Sequence, residues 1–328
     1  MRNLQRRLLA GLVFGFLVVL ALALLGDLRQ IGSNLTGFRW GLVPLMLACT
    51  LFNYALRFVK WHYYLGLIGV EGLSPLRSLR LFVAGFPLAV TPGKVGEALK
   101  GVWLHAETGV PTARGVTVVL AERISDGLAV LALSTLGVIA YPRYWPAFAA
   151  VLAGLLGLIV ISQIRPLALT LIGWMEKLPF LGRYAHHLLE FYESAYLLFR
   201  PKPTILAVSL GAIAWLGEGI AMYLVLIGLG IPPGVHTLSI AVFTLAFSTI
   251  VGAVSALPGG LGAAEASIAG MLILLMDLST DTAAAATLII RFVTLWFAVF
   301  LGLGVWTFSK DLLLLQSGEE QMQEGGRA

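Results

Sequence analysis

The chain has 328 residues, 59% apolar and only 12% charged, with a mean hydropathy of +0.91. Soluble domains carry roughly 25% charged residues, and here uncharged stretches of about 20 residues recur, which excludes a water-soluble enzyme and predicts an all-α polytopic membrane protein. A single cysteine, Cys49, excludes disulfide scaffolds and cysteine-ligated metal clusters, and the net charge of +5 is scattered beside apolar runs, as membrane topology requires and nucleic-acid binding does not.

In chain order, Arg2, Arg6 and Arg7 precede an apolar run from Leu8 to Leu25, longer than a signal-peptide core and read as a first, uncleaved span. A second span runs from Trp40 to Val59 and ends in Arg57, Lys60, Trp61, Tyr63 and Tyr64, a composition suited to a membrane interface. Further spans are expected at 115–140, 145–163, 204–230 and 283–308, giving about six.

Two segments break this pattern. Leu79–Val90 runs into Pro92-Gly93-Lys94-Val95-Gly96-Glu97, and Leu238–Ala256 runs into Pro258-Gly259-Gly260-Leu261-Gly262 and then Glu265. Helices of 10–12 residues reach only about 15–18 Å, half of a hydrocarbon core of about 30 Å, so each Pro-Gly break is expected to be the tip of a re-entrant hairpin. The tips lie 166 residues apart, and each is followed 31 to 33 residues later by an arginine inside an apolar span, Arg123 or Arg291. This reads as an internal repeat, residues 40–140 and 204–308, within a single membrane domain of residues 1–316. Three crossings separate the copies, which makes them inverted, the architecture of transporters that bind substrate at helix breaks.

Charge placement agrees. With the N-terminus inside, fifteen basic residues fall in cytoplasmic segments and three, Arg29, Arg39 and Arg143, in outer loops. Between the repeats, residues 165–203 read as an amphipathic cytoplasmic connector: Tyr184, Leu188, Tyr192, Ala195 and Phe199 share one face, which suits either the inner leaflet or a plain link. Residues 317–328 read as a disordered polar tail.

A charge inside a span costs at least about 2.5–3.5 kcal/mol, so the intramembrane ionisable residues are the candidate site. They are Lys94, Glu97, Lys100, Glu122, Arg123, Asp126, Glu218, Glu265 and Arg291. Glu122 and Asp126 share a helix face and require a cation or a proton between them. Lys94, Arg123 and Arg291 are the expected substrate-binding cations, while the carboxylates and Lys100 set local charge or couple transport to protons. The same set would also serve as a structural salt-bridge network, and both readings fit the sequence. Glycines 93, 96, 259, 260 and 262 allow close backbone approach, or simply tight packing, at the Pro92 and Pro258 breaks. No nucleotide-binding loop or metal set is present, and no cofactor or nucleic-acid partner is expected. A membrane enzyme with Glu122 or Asp126 as general base, or a small-solute or ion transporter, would use the same residues.

Pro92-Gly93-Lys94-Val95-Gly96-Glu97, Glu122-Arg123-Ile124-Ser125-Asp126-Gly127 and Leu257 to Glu265, with Arg57 to Trp61 upstream, resemble the lysylphosphatidylglycerol synthase transmembrane-region, or flippase-like, family from about residue 8 to 309. The family tip often carries a valine and an arginine where Ala263 and Ala264 stand here. The resemblance implies a stand-alone, non-enzymatic member without the cytosolic aminoacyl-transfer domain. Such a member moves a phospholipid or polyprenyl-linked lipid across a prokaryotic cytoplasmic membrane. A lipid-modifying enzyme or glycosyltransferase is the implied partner.

Overall fold

The computed structural model describes Val13 and residues 28–91, 96–140, 145–176 and 182–309. The expected first span, the polar tail and the tip residues Pro92, Gly93, Lys94 and Val95 lie outside the described residues, apart from Val13. Every regular element among them is helical: α1 Leu28–Gly37, α2 Val43–Leu67, α3 Pro75–Ala84, α4 Leu99–Thr108, α5 Thr112–Ala140, α6 Trp145–Gln163, α7 Arg165–Glu176, α8 Gly182–Leu198, α9 Pro201–Gly228, α10 Val235–Val254, α11 Ala263–Met276, α12 Thr280–Arg291 and α13 Phe297–Phe308. Among the described residues, five stretches are long and apolar enough to cross a membrane: 40–67, 201–228, 235–254, 258–276 and 280–308. A sixth arises if residues 149–163 and 168–174, bent by 72°, form one broken span. The 29-residue α5 matches them in length but carries Arg114, Glu122, Arg123 and Asp126. The protein is a multi-pass helical membrane protein.

Local sequence explains where these helices begin and end. Pro44, Pro75 and Pro201 sit in first turns, where a missing N–H costs nothing. Ser74 and Ser279 accept from the backbone N–H of Arg77 and Thr282 and cap α3 and α12. Gly109, at φ 74°, closes α4 in the left-handed conformation.

Three elements depart from expectation. The helix α2 does not stop at Val59: no glycine or proline interrupts it before Gly66, so it continues to Leu67 and takes Lys60, Trp61 and Tyr64 into the interior, where none is more than 1% exposed. The apolar stripe of α8 does not lie on lipid. Tyr192, Ala195, Leu198 and Phe199 are buried, α8 packs on α5, and Arg114–Glu190 and Arg165–Glu193 ion pairs fix its polar side. The third departure concerns the Pro-Gly breaks. The helices α3 and α4 flanking the first have 10 residues each and are too short to cross. At the second break α11 has 14 residues but α10 has 20, about 30 Å, because no charge or proline ends it before Pro258.

Two apolar cores organise the bundle. One gathers Trp61, Tyr64, Leu81, Phe82, Trp103, Leu104, Val118 and Ile124; the other gathers Met46, Met222, Val225, Leu226, Ile268, Leu272, Ile290 and Val293. Between them α9 packs along α2, α5 and α10. The stretch leading to the first break meets the second here: the 3-10 turn Phe86–Val90 touches the turn Pro258–Gly260, and a Cβ on Gly259 would lie 3.4 Å from Val90 Cγ1. The span after the second break is also tied to the end of α3, since the Trp306 indole donates to the Ala84 carbonyl at 2.8 Å.

Candidate functional site

The helix α5 supplies the centre of the site. Glu122 and Asp126, one turn apart, each meet a cation from a different helix. Lys100 of α4 donates to Glu122 Oε2 at 2.9 Å and lies 4.0 Å from the centre of the Trp61 ring. Lys60 of α2 reaches Asp126 Oδ1 at 2.5 Å and Ser125 Oγ at 3.1 Å, and Arg57 Nε lies 3.5 Å from Asp126 Oδ2. The carboxylate pair foreseen on one helix face is thus separated by Lys60, Lys100 and Arg57. Two of these three stood at the membrane interface in the sequence reading. The signal for them was present: Asn53, Arg57, Lys60 and Tyr64 recur at helical spacing on one face of α2.

The remaining pairs link each break to the span that follows it. Glu97, just after the first tip, meets Arg123 Nε at 3.1 Å. Glu265, just after the second, meets Arg291 Nε at 2.5 Å and accepts from the Gly262 N–H at 2.6 Å, which caps the start of α11. Arg291 also donates to the Gly259 carbonyl at 3.2 Å, so it holds the tip from two sides. The positive end of α11 is therefore already occupied by Glu265. Gly259, Gly260 and Gly262 all have positive φ, and a Cβ on Gly260 would come within 2.9 Å of Gly252 Cα, so the tip needs glycine for both conformation and contact. Gly96 donates to Thr91 Oγ1 at 3.0 Å at the other break.

These groups surround a cavity of about 160 Å³, near the size of a void that accepts a benzene-sized molecule, about 150 Å³. Arg57, Glu97, Lys100, Arg123, Glu218 and Arg291 line it, with Tyr54, Trp215, Ser248 and Thr249. Lys60 and Lys100 are as buried as the carboxylates, and the arginines are the more exposed charges. The Glu97, Glu122, Asp126 and Glu265 side chains are at most 6% exposed, whereas the Arg57, Arg123 and Arg291 side chains are 12%, 31% and 16% exposed. In each arginine–carboxylate pair the guanidinium group is the more exposed partner, although Glu97 also reaches the cavity wall. The Nε atoms of all three arginines are buried without a hydrogen bond, their carboxylates lying off the N–H direction. Glu218 of α9 is the exception: it is 6% exposed, lines the cavity and forms no ion pair among the described residues.

One further feature was not legible in the sequence. Directly after Arg291 the helix widens into a π-turn, Phe292–Trp296, and the Tyr54 hydroxyl donates to the Thr294 carbonyl at 2.7 Å. Such turns re-aim side chains at functional sites.

The family model described as the lysylphosphatidylglycerol synthase TM region matches residues 8–302, which includes every charge described above. A relative from Methanothermobacter thermautotrophicus, described as a UPF0104 membrane protein, is 26% identical over 289 residues, covering 80% of this chain and 82% of the relative. The match runs through both breaks, both arginine-bearing spans and the helices between them, so the chain belongs to the lysylphosphatidylglycerol synthase transmembrane-region family.

Proposed function

We propose that the protein is a flippase-like transporter that carries lipids with an anionic head group across the cytoplasmic membrane, the head group passing through the central cavity while the tails stay in lipid. The observation that carries this reading is that three arginines on the wall of one cavity are each more exposed than the carboxylate that holds them. Asp126, Glu97 and Glu265 hold Arg57, Arg123 and Arg291 in place and leave these guanidinium groups on the cavity wall. Guanidinium groups are suited to phosphate, which they bind through paired N–H donors. The cavity volume favours a phosphate over a bulky sugar in this conformation.

The proposal includes an inverted repeat with its two breaks as re-entrant hairpins and both termini cytoplasmic. Three correspondences support it. The stretches 112–140 and 280–308 both have 29 residues, with Arg123 and Arg291 at the same place in each. The stretches 40–67 and 201–228 both have 28, with Arg57 and Glu218 at the same place. Glu97 and Glu265 precede their arginines by equal distances. Alternating access then amounts to the two hairpins separating, first toward one leaflet and then toward the other, about the contact between Val90 and Gly259.

In proteoliposomes holding a fluorescent phosphatidylglycerol, with dithionite quenching of the outer leaflet, the wild type should equilibrate the leaflets. Arg291→Ala and Arg123→Ala should each reduce the rate at least tenfold at equal reconstitution. Wild-type rates in both variants would overturn the assignment. A chemically altered lipid from purified protein in detergent, where movement between leaflets has no meaning, would point to an enzyme instead.

A further inference from the structure

The charge balance of the cavity carries the reading one step further. Among the described residues the network holds Arg57, Lys60, Lys100, Arg123 and Arg291 against Glu97, Glu122, Asp126, Glu218 and Glu265, so it is neutral when all are ionised. A neutral buried network attracts an anion only through its nearest guanidinium groups, and adding the anion leaves one uncompensated negative charge among these residues. Four of the five carboxylates are fixed as anions by a cation within 2.5–3.1 Å. Glu218 has no such cation and lies on the cavity wall.

The groups facing Glu218 define what it can exchange with. From α2 come Tyr54 and Arg57, from α12 Arg291 and from α5 Asp126; α10 offers only the uncharged Ser248 and Thr249. Arg57 and Arg291 are each held by another carboxylate, Asp126 and Glu265. When Glu218 takes up a proton, it releases its electrostatic hold on these two guanidinium groups and the network gains one net positive charge beside the cavity. An entering phosphodiester then restores neutrality.

We infer that Glu218 is a proton-binding site obligatorily linked to the anion site, so that one proton enters the cavity with each anionic head group and leaves with it. This rests on the reading of the cavity as a head-group site and makes transport a proton–lipid symport. Linkage fixes the sign: a ligand that binds the protonated form better raises that group's proton affinity, and its own affinity falls as pH rises, by at most tenfold per pH unit for one proton.

The experiment uses the full chain in detergent micelles and dihexanoyl phosphatidylglycerol, whose phosphodiester keeps one negative charge throughout the range from pH 5 to 9. Binding is followed by the fluorescence of the tryptophans, among which Trp215 lines the cavity. Calorimetry in two buffers of different ionisation enthalpy counts protons. The expected result is an affinity that falls with pH, approaching tenfold per unit at its steepest, with uptake of up to one proton. E218Q should bind with the wild type's acidic-limit affinity at every pH and take up none. Binding in the wild type with neither pH dependence nor proton uptake overturns the inference and leaves the head-group site standing. Equal pH dependence in E218Q also overturns it, by moving the proton elsewhere. Absence of binding at every pH overturns the head-group site itself. The wild-type proton count decides the question even if E218Q does not fold.

Discussion

On the repeat proposed above, residues 40–140 and 201–308 place matching positions on the cavity walls but fill them differently. Both keep a glutamate after the break paired with an arginine on the next span, Glu97 with Arg123 and Glu265 with Arg291. Around that shared pair the first half adds Lys100–Glu122 and a second cluster in which Lys60 and Arg57 share Asp126. The corresponding residues of the second half are Ile268 and Ile290, buried in its apolar core, together with Ala221, Glu218 and Thr294. Among the described residues of the network, the first half therefore carries one excess positive charge and the second, through Glu218, one excess negative charge. The glutamate–arginine pair common to both halves is the part tied to the breaks. The other pairs are one of two solutions to filling the same space, and the apolar solution avoids the desolvation of two ions.

This contrast makes its largest prediction at Lys100–Glu122. Glu122 is fully buried and Lys100 is 4% exposed, so Glu122→Ala leaves an ammonium without its anion and should lower stability by about 3–5 kcal/mol. Replacing both residues together, Lys100→Ile with Glu122→Ile, copies the second half. It should bring stability back to within about 1 kcal/mol of the wild type, since buried pairs exchange for packed apolar groups at little cost. Denaturant unfolding in mixed micelles, followed by tryptophan fluorescence, reads both. A double variant as unstable as the single one would mean that the two halves do not share a packing solution. Lipid movement in the double variant should persist if only the shared pair belongs to the transport machinery.

The second tip gives a smaller effect that tests its packing on α10. Gly260 has φ 68° and approaches Gly252 within the reach of a single methyl group. Gly260→Ala should therefore cost about 1–3 kcal/mol, from left-handed strain and the clash together. Gly270, in the middle of α11 with open space around it, is the control. Gly270→Ala should stabilise by up to about 1 kcal/mol through helix propensity. Equal effects at the two positions would show that the tip glycine serves only backbone freedom in the unfolded chain.

How much of this was legible in the sequence depended on whether the signal was local. Glu97, Glu122, Arg123, Asp126, Glu218, Glu265 and Arg291 stand out because charge is costly in an apolar run, and a single sequence displays that directly. Their pairing is not local. Lys60 and Asp126 are 66 residues apart, and only the packing of α2 against α5 brings them together. Reading Arg57 and Lys60 as the end of a span gave more weight to charge than to the missing helix terminator, and the terminator was the better guide. The apolar stripe of α8 left two readings open, because its periodicity states that one face is buried without saying whether lipid or protein covers it. The π-turn after Arg291 has no sequence signature, since Phe292 to Trp296 contains neither glycine nor proline.

The smallest effect lies outside the apolar core, at the ion pair between Arg114 and Glu190 that ties α8 to the start of α5. The hydrogen bond from Arg114 holds the Glu190 carboxyl below its ordinary value. A depressed carboxylate contributes stability that is present above its unfolded pKa and lost as pH falls through the folded one, so the contribution is present at neutral pH and vanishes in acid. The Arg114 side chain is 37% exposed, and solvent screening limits such a pair to under about 1 kcal/mol. Glu190→Gln should therefore lower Tm slightly at pH 7, and the two melting curves should converge as pH falls below the carboxylate range. The same chemical pair, guanidinium or ammonium with carboxylate, is thus expected to matter several times more at Lys100–Glu122 than here. If Glu190→Gln proved as damaging as Glu122→Ala, burial would not be what separates the interior network from its rim, and the assignment of the interior charges to a desolvated cavity would fail with it.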